Sequence, residues 1–295
     1  MIRKLLKWIG VGLGVLIGLL LVTFVVLLIT GGAEASKTYD IPVETIAIPT
    51  DAAAIQYGEH LATIYICTDC HKGDLSGELY FAIPGMLSIP TPNLTSGAGG
   101  IGRSFSDEDW VRAIRHGVGH DGRALFVMPS NTFYYIGDED LGALIAYLKS
   151  LPPVDNELSE RRIEAVGRVM MGAGMMPPLA VDRIDHSNEP PAAPEPGVTV
   201  EYGKYLSYTC TECHGTNLNG APFGPPGQQV PTPNLTTGGQ LGSWTEEDFS
   251  NTLRTGITPD GHYLDEEMPW QSYGQMTDDE LKALWLYLQS LPPVN

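Results

Sequence analysis

Outside two pentapeptides, "CTDCH" at 67–71 and "CTECH" at 210–214, the 295-residue chain has no cysteine. That excludes a disulfide framework spread over the fold, and a bridge between thiols three positions apart would close too small a loop to stabilise much. Positive charge is scarce as well. Seventeen Lys and Arg face 35 Asp and Glu, a formal charge of −18. Residues 201–295 hold only Lys204, Arg254 and Lys282 against twelve acids. Such a surface repels nucleic acid and anionic lipid headgroups and attracts basic patches on proteins. No stretch alternates apolar and polar residues persuasively, so the expected class is all-α.

Only one long apolar run exists. From Leu5 to Thr30 the chain reads LLKWIGVGLGVLIGLLLVTFVVLLIT, without a charge after Lys7. The run exceeds the ~20 residues needed to cross a bilayer core. It is also longer than the ~7–15-residue apolar core of a secretory leader, although "AEA" at 33–35 resembles a cleavage site. An uncleaved anchor over 1–35 is the preferred reading, a cleaved leader the alternative. Arg3, Lys4 and Lys7 precede the run and only Lys37 follows closely. Basic flanks stay inside, so the expectation is a single pass through the cytoplasmic membrane, N-terminus inside, the rest on the periplasmic or extracellular side.

Beyond the anchor the chain is written twice. "YGEHLATIYICTDCH" (57–71) matches "YGKYLSYTCTECH" (202–214), and "PTPNLT" stands at 90–95 and 231–236. "FSDEDWVRAIRHG" (105–117) matches "WTEEDFSNTLRTG" (244–256), and "DEDLGALIAYLKSLPPV" (138–154) matches "DDELKALWLYLQSLPPV" (278–294). The offset drifts only between 139 and 145. Two domains are therefore expected, 40–155 and 198–295. A connector spans 156–197, helix-compatible up to Pro177, then Pro-rich and extended at "NEPPAAPEPG". Ser106 and Thr245, each followed by acids, read as helix caps. The last helix of each copy, opened by Asp138 or Thr277, stops at a double proline.

Three chemistries compete for the thiols. A thioredoxin-like pair wants a βαβ context, which is missing. Two CxxC pairs could hold one zinc, but they lie in separate repeats and each is followed by His. Cys-x-x-Cys-His is the attachment signature of c-type haem. On that reading Cys67 and Cys70 hold one haem, Cys210 and Cys213 a second, and His71 and His214 bind iron. A Met opposite the imidazole gives a low-spin electron-transfer centre, whereas an open position favours binding chemistry. Nine Met and five further His are available. Only Met128 and Met268 coincide in both copies, each followed by Pro, 57 and 54 residues after its His. The assignments are His71/Met128 and His214/Met268. Met170, Met171, Met175 and Met176 read as apolar packing in the connector, and His60 and His186 as solvent-facing.

Each copy resembles a class I c-type cytochrome domain, and the tandem, with "TPNLT", "MP" and "YLxSLPPV", is similar to cytochrome c subunits of membrane-bound alcohol and gluconate dehydrogenases. Those subunits typically carry three haem domains; this chain has two. The resemblance implies tight crossing of terminal helices, Gly58 against Tyr147 and Gly203 against Tyr287. It implies a proline carbonyl accepting the proximal imidazole N–H, with Pro84, and Pro225 or Pro226, as candidates. Asn93 and Asn234 are then haem-edge donors or loop holders, and Arg115 and Arg254 are propionate partners or surface residues.

The expected function is electron transfer between respiratory or photosynthetic redox partners at the outer membrane face, the chain acting alone or as a subunit of a dehydrogenase or respiratory complex. It is not expected to be an enzyme itself. The alternative is a dihaem peroxidase, which would need a vacant iron position with acid–base groups beside it. The two Met loops differ, Ala124-Leu125-Phe126-Val127 before Met128 and Asp265-Glu266-Glu267 before Met268. Nearby negative charge favours ferric iron, so the second haem is expected at the lower potential.

Overall fold

A computed structural model describes residues 1–224 and 229–294 of the chain. Helix α1 (Ile2–Ala35) is the apolar run, with 34 residues, long enough at ~1.5 Å per residue to cross a ~30 Å hydrocarbon core. Its apolar side chains stay exposed along most of its length, among them Leu19, Leu20, Leu21 and Ile29. The helix is long and apolar enough to cross a membrane.

Copy one opens with α2 (Ala52–Ile64), capped by Asp51, whose carboxylate accepts from Ala54 N at 3.0 Å. Ile66, held at φ 55°, breaks the helix before the single turn α3 (Cys67–Cys70). A hairpin of β1 (Glu78–Ile83) and β2 (Leu87–Thr91) follows. Helix α4 (Asp107–His116) starts at a capping box of Ser106 and Asp109 and ends at Gly117 with φ 69°. Then come α5 (Ser130–Phe133) and α6 (Asp138–Ser150). The connector supplies β3 (Arg162–Ile163), which pairs with β2, then α7 (Ala165–Gly172) and α8 (Ala180–Arg183). Copy two repeats the order with α9 (Val200–Leu206), α10 (Thr211–His214), a minimal hairpin of β4 (Pro222–Phe223) and β5 (Val230–Pro231), α11 (Glu246–Thr255), α12 (Trp270–Tyr273) and α13 (Asp278–Ser290).

The strands correct the all-α expectation. They are short, β2 contains Pro90, and the pairing of β1 with β2 shifts between Leu79 and Phe81, so no clean alternation marks them. The connector is also less helical than its composition allows, because part of it is drawn into the β2 edge as β3.

Within each copy the first and last helices cross at a glycine. A Cβ on Gly58 would overlap the Ala143 carbonyl and come within 2.8 Å of Tyr147 Cβ; on Gly203 it would overlap the Ala283 carbonyl, 2.9 Å from Tyr287 Cβ. Only glycine permits that approach. The apolar stripe of α6 is buried, with Leu141, Leu144, Ile145 and Leu148 at 3% exposure or less.

One apolar core runs through both copies. Two polar contacts cross between them at equivalent positions. His60 on α2 meets both Glu280 carboxylate oxygens on α13, at 2.9 and 3.0 Å. Tyr205, the counterpart of His60, donates to Asp140, the counterpart of Glu280, at 2.6 Å. The copies thus face each other about a pseudo-two-fold axis, the arrangement of an isologous dimer built in one chain. His60 is therefore an interface residue, which corrects its solvent-facing reading. So is the reading of His186, whose Nδ1 lies 3.0 Å from Nδ1 of buried His116. His186 ties the connector to α4.

Candidate functional site

The two pentapeptides are held in the same way. His71 Nδ1 donates to the Pro92 carbonyl at 3.0 Å, and His214 Nδ1 to the Pro233 carbonyl at 2.8 Å. A carbonyl can only accept, so Nδ1 carries the proton and Nε2 keeps the lone pair that a metal uses. Both imidazoles are buried, at 8% and 6% exposure. Burial lowers their pKa values against an opposing pull from the proline carbonyls, which favours the neutral ring a ligand must be.

The acceptors correct the expected ones. Pro84 lies exposed in the β1–β2 turn, and Pro225 and Pro226 lie outside the described residues. The real acceptors belong to the repeated "PTPNLT", which grips the pentapeptide at two points. Thr91 Oγ1 donates to the Cys70 carbonyl at 2.7 Å, and Thr232 Oγ1 to that of Cys213 at 2.9 Å. The next residue fixes the grip to the end of the copy. Asn93 Nδ2 donates to the Val154 carbonyl at 2.8 Å and Asn234 Nδ2 to Val294 at 2.6 Å, while each Asn Oδ1 accepts from the backbone two residues on. The asparagines hold their loops. Thr91, Pro92, Thr232 and Pro233 are the residues that sequence reasoning missed, although the repetition of "PTPNLT" was the available signal.

No disulfide joins any two of the four cysteines. Burial pushes Cys67 up to about 12, Cys210 to about 11 and Cys213 to about 12. Thiols so far from ionising are not poised for thiolate exchange, which counts against a redox dithiol.

Met128 and Met268 occupy matching places, half-buried against the core. Each carbonyl accepts from the amide two residues on, at 2.9 Å from Ser130 and 2.7 Å from Trp270, across a proline that opens α5 or α12. Met276 is core, at 1% exposure. Of the two arginines, Arg254 is a surface group, its side chain 39% exposed, whereas Arg115 is not. Arg115 is fully buried, pairing with Glu44 and with Asp138 at 2.9 Å and donating to the Ile136 carbonyl at 2.6 Å. Arg254 donates to the Gly274 carbonyl at 2.7 Å and to Asp278 at 2.6 Å. Both pin the segment linking the Met-bearing turn to the last helix.

Each pentapeptide touches the Met-bearing segment of the opposite copy. Ser272 Oγ donates to Asp69 of "CTDCH" at 2.5 Å, and Asn131 Nδ2 donates to Glu212 of "CTECH" at 2.9 Å. Beside them Tyr135 and Tyr208 stack across the boundary with centroids 4.1 Å apart and planes 9° from parallel. Burial raises the Tyr80 hydroxyl, and Cys70 and Cys213 both add to the rise.

A doubled helical unit with CxxCH on a single turn and a buried, proline-held imidazole defines a c-type cytochrome architecture. The chain belongs to the cytochrome c family, whose model matches residues 56–152 and 200–292. It is 29% identical over 279 residues to the alcohol dehydrogenase (quinone) cytochrome c subunit of Gluconacetobacter polyoxogenes, covering 83% of this chain and 57% of that protein. It is 29% identical over 276 residues to the gluconate 2-dehydrogenase cytochrome c subunit of Pantoea cypripedii, covering 81% and 60%. A dihaem cytochrome c-type protein of Cereibacter sphaeroides is 26% identical over 265 residues, covering 81% and 86%. The chain spans under two thirds of the dehydrogenase subunits' length and most of the dihaem protein's. Its class is that of electron-transfer proteins and subunits.

Proposed function

We propose that the chain is a membrane-anchored dihaem c-type cytochrome that carries electrons between redox partners at the outer membrane face. Cys67 and Cys70 attach one haem and Cys210 and Cys213 the other, through thioether bonds. His71 and Met128 ligate the first iron, His214 and Met268 the second. Bound haem supplies a one-electron ferric–ferrous couple.

The residues fit that cofactor. Paired neutral thiols precede an imidazole whose Nδ1 is occupied and whose Nε2 is free. The Pro92 and Pro233 carbonyls fix ring orientation, and the Thr91 and Thr232 hydroxyls fix the turn that carries the second thiol. The contacts of Asp69 with Ser272 and Glu212 with Asn131 bring the two attachment segments to one boundary, which favours passage of electrons between the copies. Acidic exposed loops such as 265–267 suit a partner with a basic docking face. A dehydrogenase partner is the donor that the named relatives suggest, and α1 keeps the exchange at the bilayer.

The duplicated imidazole–proline hydrogen bond carries this reading. Intact-mass analysis of the denatured chain tests it: two haem adducts are expected, with two equivalents of the far-red ferric iron–methionine band. No adduct overturns the reading. A single methionine-ligated iron would favour the peroxidase alternative.

A further inference from the structure

The connector's short helix lies against the end of the apolar run. A Cβ on Gly31 of α1 would overlap the Arg168 carbonyl of α7, and one on Gly172 would reach within 2.6 Å of Thr30 Oγ1. Two glycines let the backbones meet where the strongly apolar run ends, at Thr30, four residues before the first charge, Glu34. If α1 spans a bilayer, that is the depth at which hydrocarbon gives way to phosphate.

The same place collects cations. A pocket of about 490 Å³ opens there, lined by Leu28 of α1 and by Arg161, Arg162, Ile163, Glu164, Ala165 and Arg168. Three guanidinium groups against one carboxylate leave a net +2 in a chain whose total is −18. Among the described residues none of the three arginines has a carboxylate within ion-pair distance, although acids outnumber bases two to one. Two of them are nonetheless positioned. Arg161 donates to the Ala124 carbonyl at 2.6 Å and sits 4.4 Å from the Phe126 ring centroid; Arg168 Nε donates to the Ile163 carbonyl at 2.9 Å. Arg162 is exposed on the β3 edge. The apolar side chains Val166 and Met175 project nearby, 54% and 61% exposed.

The structure assigns this pocket, we infer, to the headgroup phosphate of an anionic glycerophospholipid, with the acyl chains running down α1 past Leu28. Guanidinium groups chelate phosphate oxygens in two-point hydrogen bonds, Leu28 continues the pocket into the apolar layer, and the exposed Val166 and Met175 enter the interface beside it. The acidic surface of copy two would repel the same lipid, so the Arg161–Arg168 face sets which side of the protein lies on the membrane. The inference rests on the reading of α1 as an uncleaved anchor.

The test uses the full-length holoprotein in nanodiscs containing equimolar phosphatidylglycerol and phosphatidylcholine, released for native mass spectrometry, beside the double variant Arg162→Gln/Arg168→Gln. Retention of one phosphatidylglycerol in preference to phosphatidylcholine is expected, falling about tenfold in the double variant and recovering with Arg162→Lys/Arg168→Lys. Haem content and far-UV circular dichroism verify that the variants fold. Equal retention of the two lipids, or undiminished retention by the double variant, overturns the inference. Displacement of the lipid by inorganic phosphate would overturn it too, by marking a bare anion site. Loss of co-flotation with liposomes would instead refute the anchor itself.

Discussion

The two copies share a core and differ in their surroundings. Both cross their terminal helices at a glycine, both hold the imidazole by the proline of "PTPNLT", and both place Met-Pro before a four-residue helix. Copy one is then dressed by other parts of the chain. An extended arm brings Glu44 to Arg115 and His116, β3 extends its hairpin, and Arg161 of the connector covers Phe126 in its Met loop. Copy two has a two-residue hairpin and an exposed acidic Met loop. Duplication preserved what holds the cofactor and left free what the cofactor senses.

The sharpest way to break the comparison is through the ligands. Met128→His should lower the first midpoint potential, and Met268→His the second, each on the order of 0.1 V, with loss of one far-red band equivalent in either case. Redox titration checks this, and an unmoved pair of midpoints would remove the sulfur ligands from the assignment. Next come the helix crossings. Gly58→Ala and Gly203→Ala should each destabilise by roughly 1–3 kcal/mol or more in chemical denaturation, because backbone must move. Unequal effects would mean that the copies do not share one packing solution.

Asparagine clamps should discriminate the copies more finely. Asn93 is fully buried and Asn234 only partly, so Asn93→Ala should cost about 1–3 kcal/mol and Asn234→Ala less. Across the boundary, the His60–Glu280 pair should give a pH-dependent contribution. Its hydrogen bond to Glu280 raises His60 against the effect of burial, a contribution complete below the ordinary 6.5 and lost as pH rises through the raised value. Burial alone would raise Glu280, but His60 and the Thr277 backbone lower it, a contribution present above the ordinary 4.5 and lost as pH falls through the lowered value. The stability difference between wild type and His60→Gln should therefore peak between those limits, at about 1 kcal/mol or less. A flat difference across that window would remove the ion pair from the interface.

The smallest effect concerns potentials. Asp265→Asn/Glu266→Gln/Glu267→Gln should raise the second midpoint alone by roughly tens of millivolts at low salt, shrinking as salt is added. The Arg161 guanidinium beside Phe126 works in the opposite sense on the first haem site. A second midpoint already above the first would reverse the comparison.

Residue identity and local spacing carried the attachment chemistry, since both thiols and the imidazole fall within five consecutive residues. Duplication made the matching positions of Met128 and Met268 visible, and the apolar run is legible from its length alone. The strands, the proline acceptors and the cross-copy pairs lay beyond that reach. Pro92 and Pro84 are equally good acceptors on paper, and only the path of the hairpin brings one carbonyl to His71 while leaving the other in water. His60 meets Glu280 across 220 positions of chain, and α7 meets α1 because glycines in distant segments leave room for each other. Such contacts depend on how completed units pack, and packing is decided by the shape of the assembled surfaces.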